Sequence, residues 1–381
     1  MFDFTFHNPT KIIFGTDKEA LIGAELTAAG INRVLLVYGR NSVVKSGLLD
    51  RVMACLTKSN IVCTQFGGVD SNPLLSHTRE GVTLAKRDKI EAILAVGGGS
   101  VLDEAKAIAV GALANEDVWQ FFVGQEVERA LPIFTILTLA ATGSEMNGNS
   151  VVTNAETKQK YNISSPHVYP LVSILNPELT HSVPLNYTAY SAVDAICHVC
   201  EGYFTKQPGT HLQDRLVEGI IKTVIETTDL IMAEPSHATA RASFMWTATL
   251  ALNGLTPAGI GEYSFPNHMI EHALSAIYNI PHGAGLSIVM PAWMKWYLPK
   301  NPSQFARFAK EIFGLDSGEA GIDALERWFV AIKSPVRLAE MGIPATDIEA
   351  IAENAEGLAR QWGIGGLYPK ATIAEILRLA V

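Results

Sequence analysis

Between residues 33 and 175 short apolar runs recur, each closed by a glycine or polar turn and followed by a stretch with helical spacing. The runs at 33–38, 61–66, 92–96, 132–137 and 172–175 predict strands, and 45–58 and 76–88 predict helices between them. Strand, helix and strand in repetition imply a parallel sheet covered by helices on both faces, since parallel neighbours need long crossovers. Ahead of this region residues 2–14 alternate, with Phe2, Phe4 and Phe6 against Asp3, Thr5 and His7, around an Asn8-Pro9 turn. Two short strands around that turn are expected there, and a further hairpin over 151–163. From Pro184 onward the pattern changes to helical periodicity, over 186–204, 211–232, 238–253, 265–278 and several segments from 303 to the end. The change predicts an α/β domain over 1–180 and an all-helical domain over 181–381, with no internal repeat.

Composition narrows the function classes. A chain of 381 residues exceeds one compact core, and 48% hydrophobic with 18% charged residues is the balance of a globular enzyme, not of a disordered chain. A net charge of −9 argues against nucleic acid as partner, because phosphate tracking needs clustered Lys and Arg. An anionic cofactor is still compatible, since a few local backbone donors hold one. Four cysteines make no disulfide framework, and Cys197 and Cys200 read as small thiols packed on a helix flank. The start lacks a signal-like segment and no apolar run approaches the ~20 residues that span a bilayer, so a soluble cytoplasmic protein is expected, with no membrane partner.

Candidate chemistry concentrates in two places. His268 and His272 lie four apart on a predicted helix, hence on one face, and a third imidazole, His282, follows in a Pro-His-Gly turn. Upstream, Asp194 and His198 repeat the same spacing. One carboxylate and three imidazoles suit a borderline divalent cation, Fe²⁺ or Zn²⁺. The second place is Gly97-Gly-Gly-Ser100, between a strand and a helix, where free backbone N–H groups and a helix N-terminus face outward to meet an anion. It is not Gly-x-Gly-x-x-Gly. Thr138, Thr142 and Ser144 follow the 132–137 strand, at the carboxyl edge where open α/β sheets bind ligands.

Asp-x-x-x-His, then His-x-x-x-His and Pro-His-Gly, resembles the iron-containing (group III) alcohol dehydrogenase family, and Asn267-His-Met-Ile-Glu-His-Ala-Leu-Ser-Ala is similar to its butanol dehydrogenase and aldehyde reductase branch. The resemblance runs from Pro9 into the carboxyl-terminal tail. It implies Asp194, His198, His268 and His282 as metal ligands, with His272 beside the metal as an acid/base group. It implies cofactor contacts from Asn72, Gly97, Gly98, Gly99, Ser100, Asp103, Thr138, Thr142, Ser144, Asn147, Val151 and Lys160. It further implies an opening segment that reaches a partner subunit, hence a homodimer, and reduction of small aldehydes to primary alcohols with NAD(P)H. The cleft between the two domains is then the expected active site.

At the end of the 33–38 strand no acid precedes Asp50; Gly39 leaves room and Ser42 can donate to a 2′-phosphate, so NADPH is expected over NADH. Asn176, Ser71 and the stretch 261–266 depart from the family's wording. The last stretch, just ahead of His268, is expected to line the substrate pocket. The rival readings are a lyase or cyclase resembling dehydroquinate synthase, against which the scarcity of Lys and Arg around the ligands counts, and a non-catalytic metal- or nucleotide-binding module.

Overall fold

The computed structural model describes residues 1–381 as two compact units, His7–Ser182, and Val183–Val381 together with Met1–Phe6. The first unit contains eight strands: β1 (Lys11–Phe14), β2 (Arg33–Gly39), β3 (Val62–Val69), β4 (Ala92–Gly98), β5 (Ile133–Leu139), β6 (Asn149–Asn154), β7 (Gln159–Ser164) and β8 (Val172–Leu175). Six of them form one all-parallel sheet in the order β1-β8-β5-β4-β2-β3, while β6 and β7 pair as an antiparallel ribbon. The central strands read Val-Leu-Leu-Val, Ala-Ile-Leu-Ala-Val and Ile-Phe-Thr-Ile-Leu, and all of these residues are buried. Continuous apolar runs are what a parallel strand covered on both faces requires.

Six helices complete this unit: α1 (Ile22–Ala28), α2 (Ser42–Lys45), α3 (Leu48–Lys58), α4 (Leu75–Arg87), α5 (Gly99–Leu113) and α6 (Trp119–Phe122). Val34, Leu36, Leu94, Val96, Phe134 and Ile174 of the sheet pack with Ile22, Leu26, Val52 and Leu56 in one core. Each such side chain contributes roughly 1.5–3 kcal/mol by leaving water. The single helix expected over 45–58 is broken into α2 and α3 at Gly47, whose φ of +69° lies in the left-handed region.

The opening hairpin expected over 2–14 does not form. Residues 1–10 are in no strand, and Lys11–Phe14 instead adds a parallel edge strand to β8. The alternating phenylalanines find apolar surface elsewhere, on the helical unit: Phe2 N–H donates to the Gly259 carbonyl at 3.0 Å. The Phe2 and Phe4 rings lie over Gly261 and Gly259, closely enough that a β-carbon on either glycine would approach them to 2.9 Å.

The second unit is built of helices: α7 (Leu185–Thr205), α8 (His211–Ala233), α9 (Ala238–Ala251), α10 (Pro266–Tyr278), α11 (His282–Tyr297), α12 (Pro302–Phe308), α13 (Gly318–Ala331), α14 (Ile348–Gln361) and α15 (Lys370–Arg378). Its axis is α7, buried almost continuously from Thr188 to Phe204. Phe204 anchors the end of that helix, stacked on Phe305 at 4.2 Å and set edge-on to Phe308. No helix is long and apolar enough to cross a membrane. All four cysteines are free, and burial pushes the Cys197 and Cys200 thiols well above their ordinary value.

Candidate metal centre and cofactor loops

Helix α7 carries Asp194 and His198 one turn apart, both buried. Helix α10 carries His268 and His272 one turn apart in the same way. It stops at Asn279, in the left-handed conformation at φ +52°, and Pro281 then caps α11. His282 is therefore the first residue of a helix rather than part of a turn, because proline's missing N–H and restricted φ suit a helix start. The next residue explains the approach to α7. A β-carbon on Gly283 would stand 2.1 Å from the Tyr190 carbonyl oxygen, so only glycine lets α11 begin against that backbone.

The donor atoms of Asp194, His268 and His282 all lie within 4.8 Å of one another, and His198 joins them at Asp194. From Asp194 Oδ1, the Nε2 atoms of His198, His268 and His282 lie at 3.3, 3.6 and 3.6 Å. Ligand atoms about 2.1 Å from a tetrahedral cation stand about 3.4 Å apart, so these spacings fit one. Asp194 Oδ1 and His268 Nε2 are buried without a hydrogen-bond partner. Leaving such groups unpaired costs about 1–3 kcal/mol each, more for a charge, unless something between them answers both.

The outer nitrogens of two imidazoles are held from behind. His268 Nδ1 lies 2.9 Å from Glu201 Oε1, and Glu201 also accepts from the His268 backbone N–H and from Asn267 Nδ2, each at 3.0 Å. His282 Nδ1 bonds Glu271, which in turn accepts from the Ser275 hydroxyl. Gly285 makes room for Glu271, whose Cγ would be 2.7 Å from a β-carbon there. With a cation bound, Nδ1 would donate to the carboxylate and Nε2 would turn its lone pair to Asp194's side of the cluster.

Electrostatics follow the packing. Burial would raise the Asp194 carboxyl, but the imidazoles of His198, His268 and His282 outweigh it and hold the group well below the usual carboxylate range. Burial pushes His198 down to about 3, with the neighbouring imidazoles adding to it and Asp194 opposing. On His268 burial also lowers the value, yet the facing carboxylates of Asp194 and Glu201 prevail and lift it to about 9. His272 is buried beside this cluster, its ring 5.7 Å from His282 and edge-on to Trp362 at 5.8 Å.

In the α/β unit the glycine loop lies where expected. Gly97 and Gly98 end β4, and Gly99 opens α5 with Ser100 behind it. Gly99 is constrained by Thr142, whose Oγ1 would be 2.3 Å from a β-carbon. Asp103, expected among the cofactor contacts, is buried and engaged: it accepts from Ser144 Oγ at 2.6 Å and from Val151 N–H at 3.1 Å, and its carbonyl accepts from Ser150. Burial raises its carboxyl, against the pull of Lys106 and these hydrogen bonds. Lys160 Nζ donates to Asn72 Oδ1 at 3.1 Å, joining residues 88 apart. Asn147 donates to the Thr142 carbonyl at 3.1 Å, and Ser100 Oγ to the Ser71 carbonyl at 2.5 Å. Thr138 is near the end of β5. Gly39 ends β2, where a β-carbon would touch only Val101 and Val69 at ordinary distances, and Ser42 opens α2. Arg40 forks onto Asp70, with Nη2 2.8 Å from Oδ2. Asn176 caps the turn after β8, accepting from Glu178 N–H and donating to Glu19, so its departure from the family's wording has a local role.

Several contributors carry no motif. Glu201 and Glu271 left only a faint signal, as acids inside apolar helices. Lys106 left less: it is wholly buried on α5 and donates to the Asn147 and Asn149 carbonyls at 2.9 and 2.8 Å, pinning the entry to the β6–β7 ribbon. Burial lowers its ammonium to about 8, against the nearby Asp103 and Glu145 carboxylates.

A model of the family described as iron-containing alcohol dehydrogenase matches residues 9–177, and one for the carboxyl-terminal part of the Fe-containing alcohol dehydrogenase family matches residues 188–379. The chain is 42% identical to a probable NADH-dependent butanol dehydrogenase 1 of Bacillus subtilis, over 93% of this chain and 94% of that protein. It is 35% identical to an NADPH-dependent aldehyde reductase of Escherichia coli, over 93% of each. Among solved structures it is similar to an NADH-dependent butanol dehydrogenase A of Thermotoga maritima, with a TM-score of 0.98 and 44% identity over 100% of this chain and 99% of that one.

Proposed function

The chain belongs to the iron-containing alcohol dehydrogenase family, and from that premise we propose that Asp194, His198, His268 and His282 hold a divalent cation, Fe²⁺ or Zn²⁺, in the helical unit. The protein is an NAD(P)-dependent oxidoreductase that interconverts small aldehydes and primary alcohols. The observation that carries the metal reading is the meeting of orphaned Asp194 Oδ1 and His268 Nε2 at the spacing of a coordination sphere. A cation there supplies Lewis-acid polarisation of a carbonyl. The chain's own residues do the rest. Glu201 and Glu271 keep the protons of His268 and His282 on Nδ1, and His272 would give a proton to the oxygen that becomes the alcohol. A panel of aldehydes with NADPH and NADH, run on chelated protein and again after metal add-back, tests the whole reading. Activity that survives complete chelation removes the metal from it.

The glycine loop 97–99, Ser100, Thr138, Thr142, Ser144, Asn147, Val151, Asn72 and Lys160 are proposed to bind the dinucleotide, its pyrophosphate against the start of α5. Asp103 serves by holding Ser144 and Val151 in place. The preference proposed is NADPH. It rests on the space at Gly39 and the Ser42 hydroxyl rather than on Arg40, whose charge is already answered by Asp70. The named relatives divide on this point, NADH standing in two and NADPH in one. Comparing kcat/KM for the two cofactors in wild type and Gly39→Asp decides it. Wild type should favour NADPH, and the aspartate should swing the ratio toward NADH by about 10–100-fold, since a carboxylate accepts from ribose hydroxyls and repels a 2′-phosphate. A wild type that prefers NADH removes the 2′-phosphate site.

A homodimer is proposed as well. Phe2, Phe4 and Phe6 remain about half exposed although they lie on the helical unit, an apolar stripe that water does not favour. Light scattering on a chain lacking residues 1–6 should report monomer or aggregate. An unchanged dimer would show that the stripe plays no part in assembly.

A further inference from the structure

Two of the three imidazoles around Asp194 have carboxylates behind them; His198 does not. Its Nε2 is the atom turned to Asp194, and its Nδ1 is buried with no hydrogen-bond partner. An imidazole that binds a metal through one nitrogen keeps its proton on the other and gives it to an acceptor. Beyond His198, within the helical unit, lies a small chamber with room for about one water molecule, walled by Val199, Val217, Leu252, Ile260 and Phe265. Ile260 and Phe265 border the 261–266 stretch, and Tyr263 from within it is the most exposed part of the wall.

A polar side chain in that wall is unpaired too. Gln213 is only 3% exposed. Its Nε2 donates to the Leu255 carbonyl at 3.1 Å, which fixes the amide's orientation because a carbonyl can only accept. Oε1 is then left buried with no partner. Lys206, also in the wall, has its charge answered by Asp214 at 2.8 Å and donates a hydrogen bond to Thr210 Oγ1 at 2.5 Å. One chamber thus joins an unpaired donor and an unpaired acceptor among apolar side chains. A hydroxyl serves both, because it accepts and donates at once, and water is the smallest group that has one.

We propose that the chamber holds an ordered water that accepts from His198 Nδ1–H and donates to Gln213 Oε1, which makes Gln213 a positioning residue for a metal ligand. Thr256 lines the same chamber, which makes its hydroxyl the natural third partner for that water. The inference rests on the metal reading above. It completes the pattern in which all three ligand imidazoles are oriented from behind, two by carboxylates and one through solvent.

The test is the rate at which zinc-loaded protein gives up zinc to excess chelator. Gln213→Leu and Gln213→Met, which remove the acceptor, should release zinc about 10–100-fold faster than wild type. Gln213→Glu gives up the bond to Leu255 but keeps an acceptor oxygen, and should stay within about three-fold of wild type by the same reasoning. Metal-free melting curves of the four proteins show which variants fold. Release at the wild-type rate from a folded Leu or Met variant overturns the proposal. So does a Glu variant as leaky as the Leu variant, since the tether to Leu255 would then be the cause. A wild type that takes up no stoichiometric zinc fails earlier, at the metal reading itself.

Discussion

His282→Ala is expected to lose bound metal and at least about 10³-fold in kcat/KM, because one ligand of four is gone and the site is left underfilled. It is the cleanest ligand to remove. His282 is the most exposed of the three imidazoles, at 22% of its side chain, and it sits at a helix start rather than mid-helix. His268→Ala should do the same to the metal but adds a second injury, since Glu201 loses the imidazole it faces deep in the core. Glu271→Gln should fall between wild type and these variants. It leaves the ligands intact and weakens only the group that orients His282, an effect of about 10–100-fold on affinity or rate. Metal analysis after gel filtration and steady-state rates on the same preparations give the order. Wild-type metal content in both alanine variants would refute the ligand assignment outright.

That order also shows how far the sequence could be read. The i, i+4 pairs were visible because a helix converts that spacing into a shared face, and the runs at 33–38 and 92–96 were visible as strands because a doubly covered strand must be continuously apolar. What joins separate elements was not visible. Nothing in Pro-His-Gly says that Gly283 is fixed by the Tyr190 carbonyl, and nothing in an isolated Lys106 says that it donates to two carbonyls of another element. The opening residues misled for a related reason. Alternation of Phe2, Phe4 and Phe6 is the signature of a half-buried strand, but it records only that one face needs cover. Part of that cover comes from Gly259 and Gly261, whose missing side chains admit the Phe4 and Phe2 rings without a sheet.

His272→Ala should separate metal binding from proton transfer. His272 follows His268 by one turn of α10, so its ring rises on the same face and reaches the neighbourhood of His282, 5.7 Å between centroids, without joining the four atoms that converge near Asp194. Trp362 packs edge-on against it and holds the ring in place. The variant is therefore expected to retain stoichiometric metal while turnover falls about 10²–10⁴-fold, the usual worth of a positioned acid or base. KM for the aldehyde should change little, because the lost group acts on the proton and not on substrate binding. Added imidazole gives a further readout. If the role is proton transfer, free imidazole entering the space left by the side chain should restore part of the rate in His272→Ala and none in His282→Ala. Loss of metal from His272→Ala would make it a fifth ligand and would reassign the proton to another group. Retained metal with an unchanged rate would leave the ring as packing against Trp362 and nothing more.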